Sequence, residues 1–213
     1  GTGNHLDNII NGNAGHNWID GGAGADKMKG GDGNDTYIVD NLEDRVIETR
    51  VNGGQDRVFS SVSFQLGAFV EDLILTGTGT ITVTGNSENN YISGNSASNL
   101  LTGGAGADTF AFITALGSNN IDQITDFNIS EDKILLGGGV GDPFAALASG
   151  SIAASSFRVG SAAVDDDDYI IYNSATGALL YDADGAGGAA AIQFATIDPG
   201  LSLSAANFTV SGP

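Results

Sequence analysis

Oxygen-bearing side chains recur along this chain at intervals of nine. Asn8, Asn17, Asp26 and Asp35 form one series, and Asn90, Asn99 and Asp108 form a second. Each is the sixth residue of a nonapeptide. Four nonapeptides run consecutively over residues 3–38 (GNHLDNIIN, GNAGHNWID, GGAGADKMK, GGDGNDTYI), and three over 85–111 (GNSENNYIS, GNSASNLLT, GGAGADTFA). The template is Gly-Gly-x-Gly-x-Asp-x-apolar-x. It offers carboxylate, amide and backbone carbonyl oxygens, in a chain with no cysteine and two histidines. Hard oxygen donors in a flexible loop suit Ca²⁺, whereas Mg²⁺ demands a stricter octahedron and keeps its waters. One Asp or Asn in a turn is ordinary turn chemistry. Seven copies in register point instead to repeated cation binding.

The elements that hold these donors follow from the period. Six residues make a tight turn, and three make a short strand. Glycine supplies backbone angles that a Cβ forbids. One inward apolar residue per strand (Ile10, Ile19, Met28, Tyr37, Ile92, Leu101, Phe110) is too little for a core. Stacked turns build a shared one. Two nonapeptides complete a coil, so Asn8 stacks under Asp26, Asn17 under Asp35, and Asn90 under Asp108. Bare carboxylates stacked in this way repel by roughly 1–4 kcal/mol per pair at about 4 Å. A cation between the turns makes the stack favourable. Alternate carbonyls of an extended turn point to opposite sides. A lower loop then gives its second and fourth carbonyls, the loop above its first and third, and each loop its sixth side chain. The expected ligands are Asn4, Leu6 and Asn8 with Gly21, Ala23 and Asp26, and Asn13, Gly15 and Asn17 with Gly30, Asp32 and Asp35. Gly22, Gly24 and Asp26 face onward. In the second block, Asn86 and Asn90 meet Gly103, Ala105 and Asp108, with Gly104 and Gly106 facing onward. His5 and His16 sit in turn loops and read as solvated.

These nonapeptides resemble the repeats-in-toxin (RTX), haemolysin-type calcium-binding repeats of bacterial type I secreted proteins. Residues 34–77 resemble the spacer between repeat blocks of large RTX proteins. Residues 103–136 (GGAGADTF, DQITDF, DKILL) are similar to the end of the repeat region in serralysin-type proteases, and 157–185 to the region that follows. The resemblance implies an all-β fold, a right-handed parallel β-roll (β-solenoid) with a β-rich C-terminal cap. It implies several Ca²⁺ ions, about four to six, in oxygen-lined loops. It also implies the type I secretion machinery as a partner, folding after export, and a secreted or cell-surface location in a Gram-negative bacterium. Asp44 follows Asp26 by the length of two nonapeptides, and Asp126 follows Asp108 by the same length, where the stacked sixth position should fall. Asp40 with its neighbour Asn41, Asp56 and Asp122 match acidic positions of the family pattern. The ending NFTV (207–210) resembles the family's terminal secretion motif, with Asn in place of the acid and three extra residues.

Composition narrows the function. The 213 residues carry 26 acidic and 7 basic side chains, a formal net charge of −19, yet only 15% are charged and 41% are hydrophobic. That hydrophobic content argues against wholesale disorder. Phosphates would be repelled, which disfavours nucleic acid. No apolar run is long enough for a transmembrane segment. There is no His-Glu-x-x-His helix, and two histidines in repeat loops build neither a zinc site nor a catalytic triad. The chain is therefore expected not to be an enzyme and reads as a fragment, with any catalytic domain upstream. Residues 1–112 are expected to form the roll, widened over 39–84, and residues 113–213 the cap. Cap strands are expected near 121–127, 133–136, 157–160, 168–173, 178–182 and 190–195, with a short helix from Pro143 and a hairpin turn over Ser174–Gly177. Asp165–Asp168 reads as a solvated turn, and Asp182-Ala-Asp184-Gly as half of a calcium loop. The leading reading is a calcium-dependent folding module, the non-catalytic C-terminal part of a larger extracellular protein. The alternatives are a structural subunit (surface layer, adhesin or filament) that self-associates end to end, and an accessory module of a secreted protease, lipase or polysaccharide-modifying enzyme.

Overall fold

The computed structural model describes residues 1–49, 54–138 and 141–212. The nine-residue pattern resolves into three-residue strands whose middle residue turns inward. β1 (Ile9–Asn11), β2 (Trp18–Asp20), β3 (Lys27–Lys29) and β4 (Thr36–Val39) come from the first block. β5 (Arg45–Ile47), β6 (Arg57–Ser60), β7 (Phe64–Gln65) and β8 (Asp72–Leu75) follow. β9 (Thr82–Thr84) leads into the second block, which supplies β10 (Tyr91–Ser93), β11 (Leu100–Thr102) and β12 (Thr109–Phe112). Strands alternate between sheets. The even-numbered strands β2 to β14 line up in one sheet, completed by β20 (Phe208–Val210) and β15 (Gly150–Ser151). The odd-numbered strands split into β1-β3-β5 and a second group that starts at β7.

Pairing within the blocks is parallel and steps by two nonapeptides: Ile10 against Met28, Ile19 against Tyr37, Ile92 against Phe110, Val83 against Leu101. The middle, expected to be widened over 39–84, has strand steps of unequal length among the described residues. The step from Tyr37 to its partner Val58 is longer than two nonapeptides, but the next step, from Val58 to Leu73, is shorter. The eighth-position residues Ile19, Met28, Tyr37, Ile92, Leu101 and Phe110 are at most 1% exposed and share one core. Burial of each such side chain contributes about 1.5–3 kcal/mol, which binds coil to coil.

Beyond the second block both long sheets continue. β13 (Asp122–Ile124) pairs with β11, and β14 (Lys133–Leu136) with β12. β19 (Ile192–Thr196), β18 (Ala178–Tyr181), β17 (Ile170–Asn173) and β16 (Phe157–Val159) extend the odd sheet. β17 and β18 form the expected hairpin, closed by Gly177 at φ +78°. Phe144 packs edge-on against Tyr181 and Phe194 at ring separations of 4.9 and 5.1 Å. Residues 143–147 adopt successive turns rather than the expected helix. No α-helix occurs among the described residues, and no helix is long and apolar enough to cross a membrane.

Candidate metal centre

The turns between strands carry the oxygen donors. In the third loop, Gly22 and Gly24 have φ of +77° and +121°, a region closed to most side chains. A Cβ on Gly22 would stand 2.7 Å from the Asn4 carbonyl oxygen, and one on Gly24 2.8 Å from that of Leu6. The second and fourth residues of neighbouring loops thus stack directly. A Cβ on Gly21 would collide with Asp26 Oδ2, and one on Gly103 with Asp108 Oδ2. The first glycine is therefore the space into which the sixth side chain folds.

The sixth residues form hydrogen-bonded ladders across coils. The Asn8 amide N–H donates to Asp26 Oδ1 at 2.7 Å, and Asp26 N–H to Asp44 Oδ1 at 2.9 Å. On the other side, Asn17 donates to Asp35, Asp35 to Asp56 (both 2.7 Å), and Asp56 to Glu71 Oε2 at 2.8 Å. In the second block Asn90 donates to Asp108 and Asn99 to Asp122, each at 2.8 Å. Asp44, Asp56 and Asp122 thus occupy stacked sixth positions. Asp126 does not. The rung above Asp108 is Asp132, whose Oδ1 accepts the Asp108 N–H at 2.9 Å. A longer loop between β12 and β14 displaces the register. Asp126 instead caps the loop start, accepting from Gly103 and Gly104 N–H at 2.9 and 2.8 Å.

The loops fall into two kinds. Where the second residue is Asn, its side chain closes its own loop. Asn4 Oδ1 accepts from Leu6 N–H, and the Asn4 N–H donates to Asn8 Oδ1. Asn13 with Asn17, and Asn86 with Asn90, repeat this arrangement. Asn41 follows it around Asp44, whose Oδ2 accepts from Asp40 and Asn41 N–H at 3.1 Å. Asp40 itself is exposed. The Asn86 amide nitrogen also donates to the Gly67 and Val70 carbonyls at 2.6 and 2.8 Å. There an amide group bridges two loops through N–H donors. Where the loop is Gly-Gly-x-Gly, no such closure exists, and Asp26 Oδ2 and Asp35 Oδ2 are buried without a hydrogen-bond partner. Gly106 and Asp32 lie in loops of this second kind.

Burial disfavours the charged carboxylates. It pushes Asp108 up to about 6, helped by the charges of Asp132, Asp126 and Glu131 and opposed by the Asn90 N–H. Burial raises Asp122 to about 7. It raises Asp56 to about 7 as well, with Glu48, Asp35 and Glu71 adding to the shift. Asp26, Asp35, Asp56 and Asp108 are each 1% exposed. Buried, anchored at one oxygen and unpartnered at the other in three of the four, these donors fit a hard divalent cation such as Ca²⁺.

Three participants were not apparent in the sequence. Glu48 and Glu71 are single glutamates outside any repeat. Asp132 carries a usable signal: Asn128-x-x-x-Asp132 has the offset of Asn4 to Asn8, and Asn128 N–H donates to Asp132 Oδ2 at 2.8 Å. His16 is exposed, as expected for a solvated side chain, and its Nδ1 accepts from Asn34 N–H at 2.7 Å. Asp168, expected in a solvated turn, is buried beside Arg158 at 3.6 Å. Asp184 Oδ2 caps its own turn, accepting from Gly188 and Ala189 N–H at 3.0 and 3.2 Å.

Residues 2–37 and 82–111 match the RTX calcium-binding nonapeptide repeat (4 copies). No curated protein sequence matches the chain. Among solved structures, the extracellular lipase LipA from Serratia marcescens aligns at 16% identity with a TM-score of 0.41. The alignment covers 99% of this chain and 40% of the lipase, so the chain spans less than half of that protein. Repeat sequence, the two-nonapeptide strand register and the family match agree that residues 2–37 and 82–111 carry RTX calcium-binding nonapeptide repeats.

Proposed function

We infer that this chain is a calcium-triggered folding module, the non-catalytic part of a larger extracellular protein that folds after type I secretion from a Gram-negative cell. The observation that carries this reading is the set of buried carboxylates stacked coil on coil, with Asp26 Oδ2, Asp35 Oδ2 and Asp56 Oδ2 unpartnered. Metal-free, these groups oppose the fold. In the cytoplasm, sites of the extracellular class, with Kd of about 10⁻⁴–10⁻³ M, stay empty and the chain stays exportable. Outside, each site filled to ten times its Kd adds about 1.4 kcal/mol. Four to six such sites would add roughly 6–8 kcal/mol, comparable with a whole domain's stability. Circular dichroism in EGTA, then with added Ca²⁺, tests this. A coil-like spectrum converting to β is expected, and an unchanged β spectrum in chelator would overturn it.

A second reading rests on the first coil. β1 and β2 are sheet edges, and Leu6, Ile9 and Trp18 are 60%, 75% and 57% exposed. Another coil of the same kind fits there, from the same chain or from another copy. Calcium-dependent growth in light scattering would favour a self-associating structural subunit, and a monomer at high concentration would count against it.

A further inference from the structure

The strongest unassigned feature is a cluster of three buried carboxylates at the end of the first repeat block. Asp35, Glu48 and Asp56 are 1%, 7% and 1% exposed. One carboxylate oxygen of each lies within 4.8 Å of the other two. Each group is anchored at one oxygen, and the Gly30 and Gly31 N–H groups also stabilise the Glu48 carboxylate. Asp35 Oδ1 accepts the Asn17 N–H, Asp56 Oδ1 accepts the Asp35 N–H, and Glu48 Oε1 accepts the Tyr37 hydroxyl. The second oxygens (Asp35 Oδ2, Glu48 Oε2 and Asp56 Oδ2) are buried with no hydrogen-bond partner. Among the described residues, no lysine or arginine forms an ion pair with any of them.

Three buried carboxylates with no counter-charge among the described residues are strongly unfavourable as anions unless they share a cation or take up protons. Glu48 also breaks the repeat rule in an informative way. Lys29 pairs with Ile47, so the next residue, Glu48, stacks over Gly30. The repeats place glycine there. A carboxylate at this point brings a third acid to a place where the repeats bring only two sixth-position side chains.

We propose that Glu48 joins the sixth-position carboxylates Asp35 and Asp56 in a three-carboxylate calcium site, and that this site binds Ca²⁺ more tightly than the two-donor repeat sites and fills first. This rests on the calcium-binding reading above. The charge count sets the order, because ligand charge tunes affinity in calcium loops. The same donor set favours trivalent lanthanides. Tyr37, whose hydroxyl donates to Glu48, makes a built-in sensitiser for Tb³⁺ luminescence.

The test is competition of the full chain against a chromophoric calcium chelator, comparing wild type with Glu48→Gln and Asp108→Asn. Wild type is expected to show one tightest equivalent of Ca²⁺. Glu48→Gln should weaken that equivalent by at least the ~10–100-fold that loss of an outer-shell partner costs, leaving the weaker equivalents in place. Asp108→Asn should leave the tightest equivalent intact. An unchanged tightest equivalent in Glu48→Gln overturns the proposal while the repeat reading stands. Absence of Ca²⁺ binding in all three proteins overturns both. Should Glu48→Gln fail to fold in millimolar Ca²⁺, Tb³⁺ titration decides. The first equivalent should give tyrosine-sensitised emission that Tyr37→Phe abolishes without loss of bound ion. First-equivalent emission indifferent to Tyr37→Phe would overturn the proposal.

Discussion

Replacing Asp108 by Asn should change stability in opposite directions with and without calcium. Asp108 is 1% exposed, and its Oδ1 accepts the Asn90 N–H at 2.8 Å. An amide oxygen can keep that bond while the charge is removed. Burial first, then the neighbouring acids, lifts the Asp108 carboxyl to about 6 from its ordinary 3.8. Two pKa units correspond to about 3 kcal/mol of ionisation cost borne by the metal-free fold at pH 8. In EGTA at pH 8, Asp108→Asn should therefore be more stable by up to about 3 kcal/mol. The gain should fade as pH falls below about 6 and vanish near 4, where aspartate is neutral folded and unfolded alike. In saturating Ca²⁺ the sign reverses, because the ion loses a charged ligand. The chelator arm is read from folding induced by a stabilising osmolyte, and the calcium arm from urea unfolding, both followed by circular dichroism. Equal destabilisation in both arms would refute the argument that ionic burial is what opposes the metal-free fold.

Two other outcomes follow from the same geometry. Asp56 and Asp122, both raised to about 7 by burial, favour the metal-free fold in full below their unfolded pKa near 4, and that contribution is lost as pH rises through about 7. Acidifying the chelated chain from pH 8 to 5 should raise its β signal in circular dichroism, and a flat response would contradict this. Phe208 is 1% exposed and packs on Phe157 at 5.4 Å. Phe208→Ala should cost about 3–5 kcal/mol in Ca²⁺ by denaturant titration, whereas Thr209→Ala on the half-buried face should stay within about 0.5 kcal/mol.

The repeats were legible because their period is rigid. Wherever a loop keeps the nonapeptide length, strand register, core residue and sixth-position stack all follow from counting. Counting fails where strands pair at unequal spacing. The step from Tyr37 to Val58 exceeds two nonapeptides, that from Val58 to Leu73 falls short of them, and that from Phe110 to Ile134 exceeds them again. Parallel pairing fixes the strands and leaves the connecting loop free to vary. For that reason Asp126, placed by counting two nonapeptides, gave way to Asp132. Glu48 escaped notice because it stands where the repeats have glycine. The NFTV ending reads as a terminal motif, and Phe208–Val210 also pairs in parallel with β14 within the even sheet, with β15 at its outer edge. Which sheet edge a distant segment covers is set by tertiary packing, not by local pattern.

The sixth-position ladder has a direction. In every rung the N–H comes from the earlier residue and the carboxylate from the later one: Asn8 to Asp26 to Asp44, Asn17 to Asp35 to Asp56 to Glu71, Asn90 to Asp108 to Asp132. A chain made from its N-terminus onward cannot satisfy a loop until the coil behind it exists. The sixth-position N–H groups of each coil thus stay unpaired until its successor is made. Shortening the chain from its C-terminal side should therefore loosen the coil left last, whereas removing coils from the front takes no sixth-position carboxylate from those that remain, only backbone carbonyl acceptors such as that of Asn8 for the Lys27 N–H.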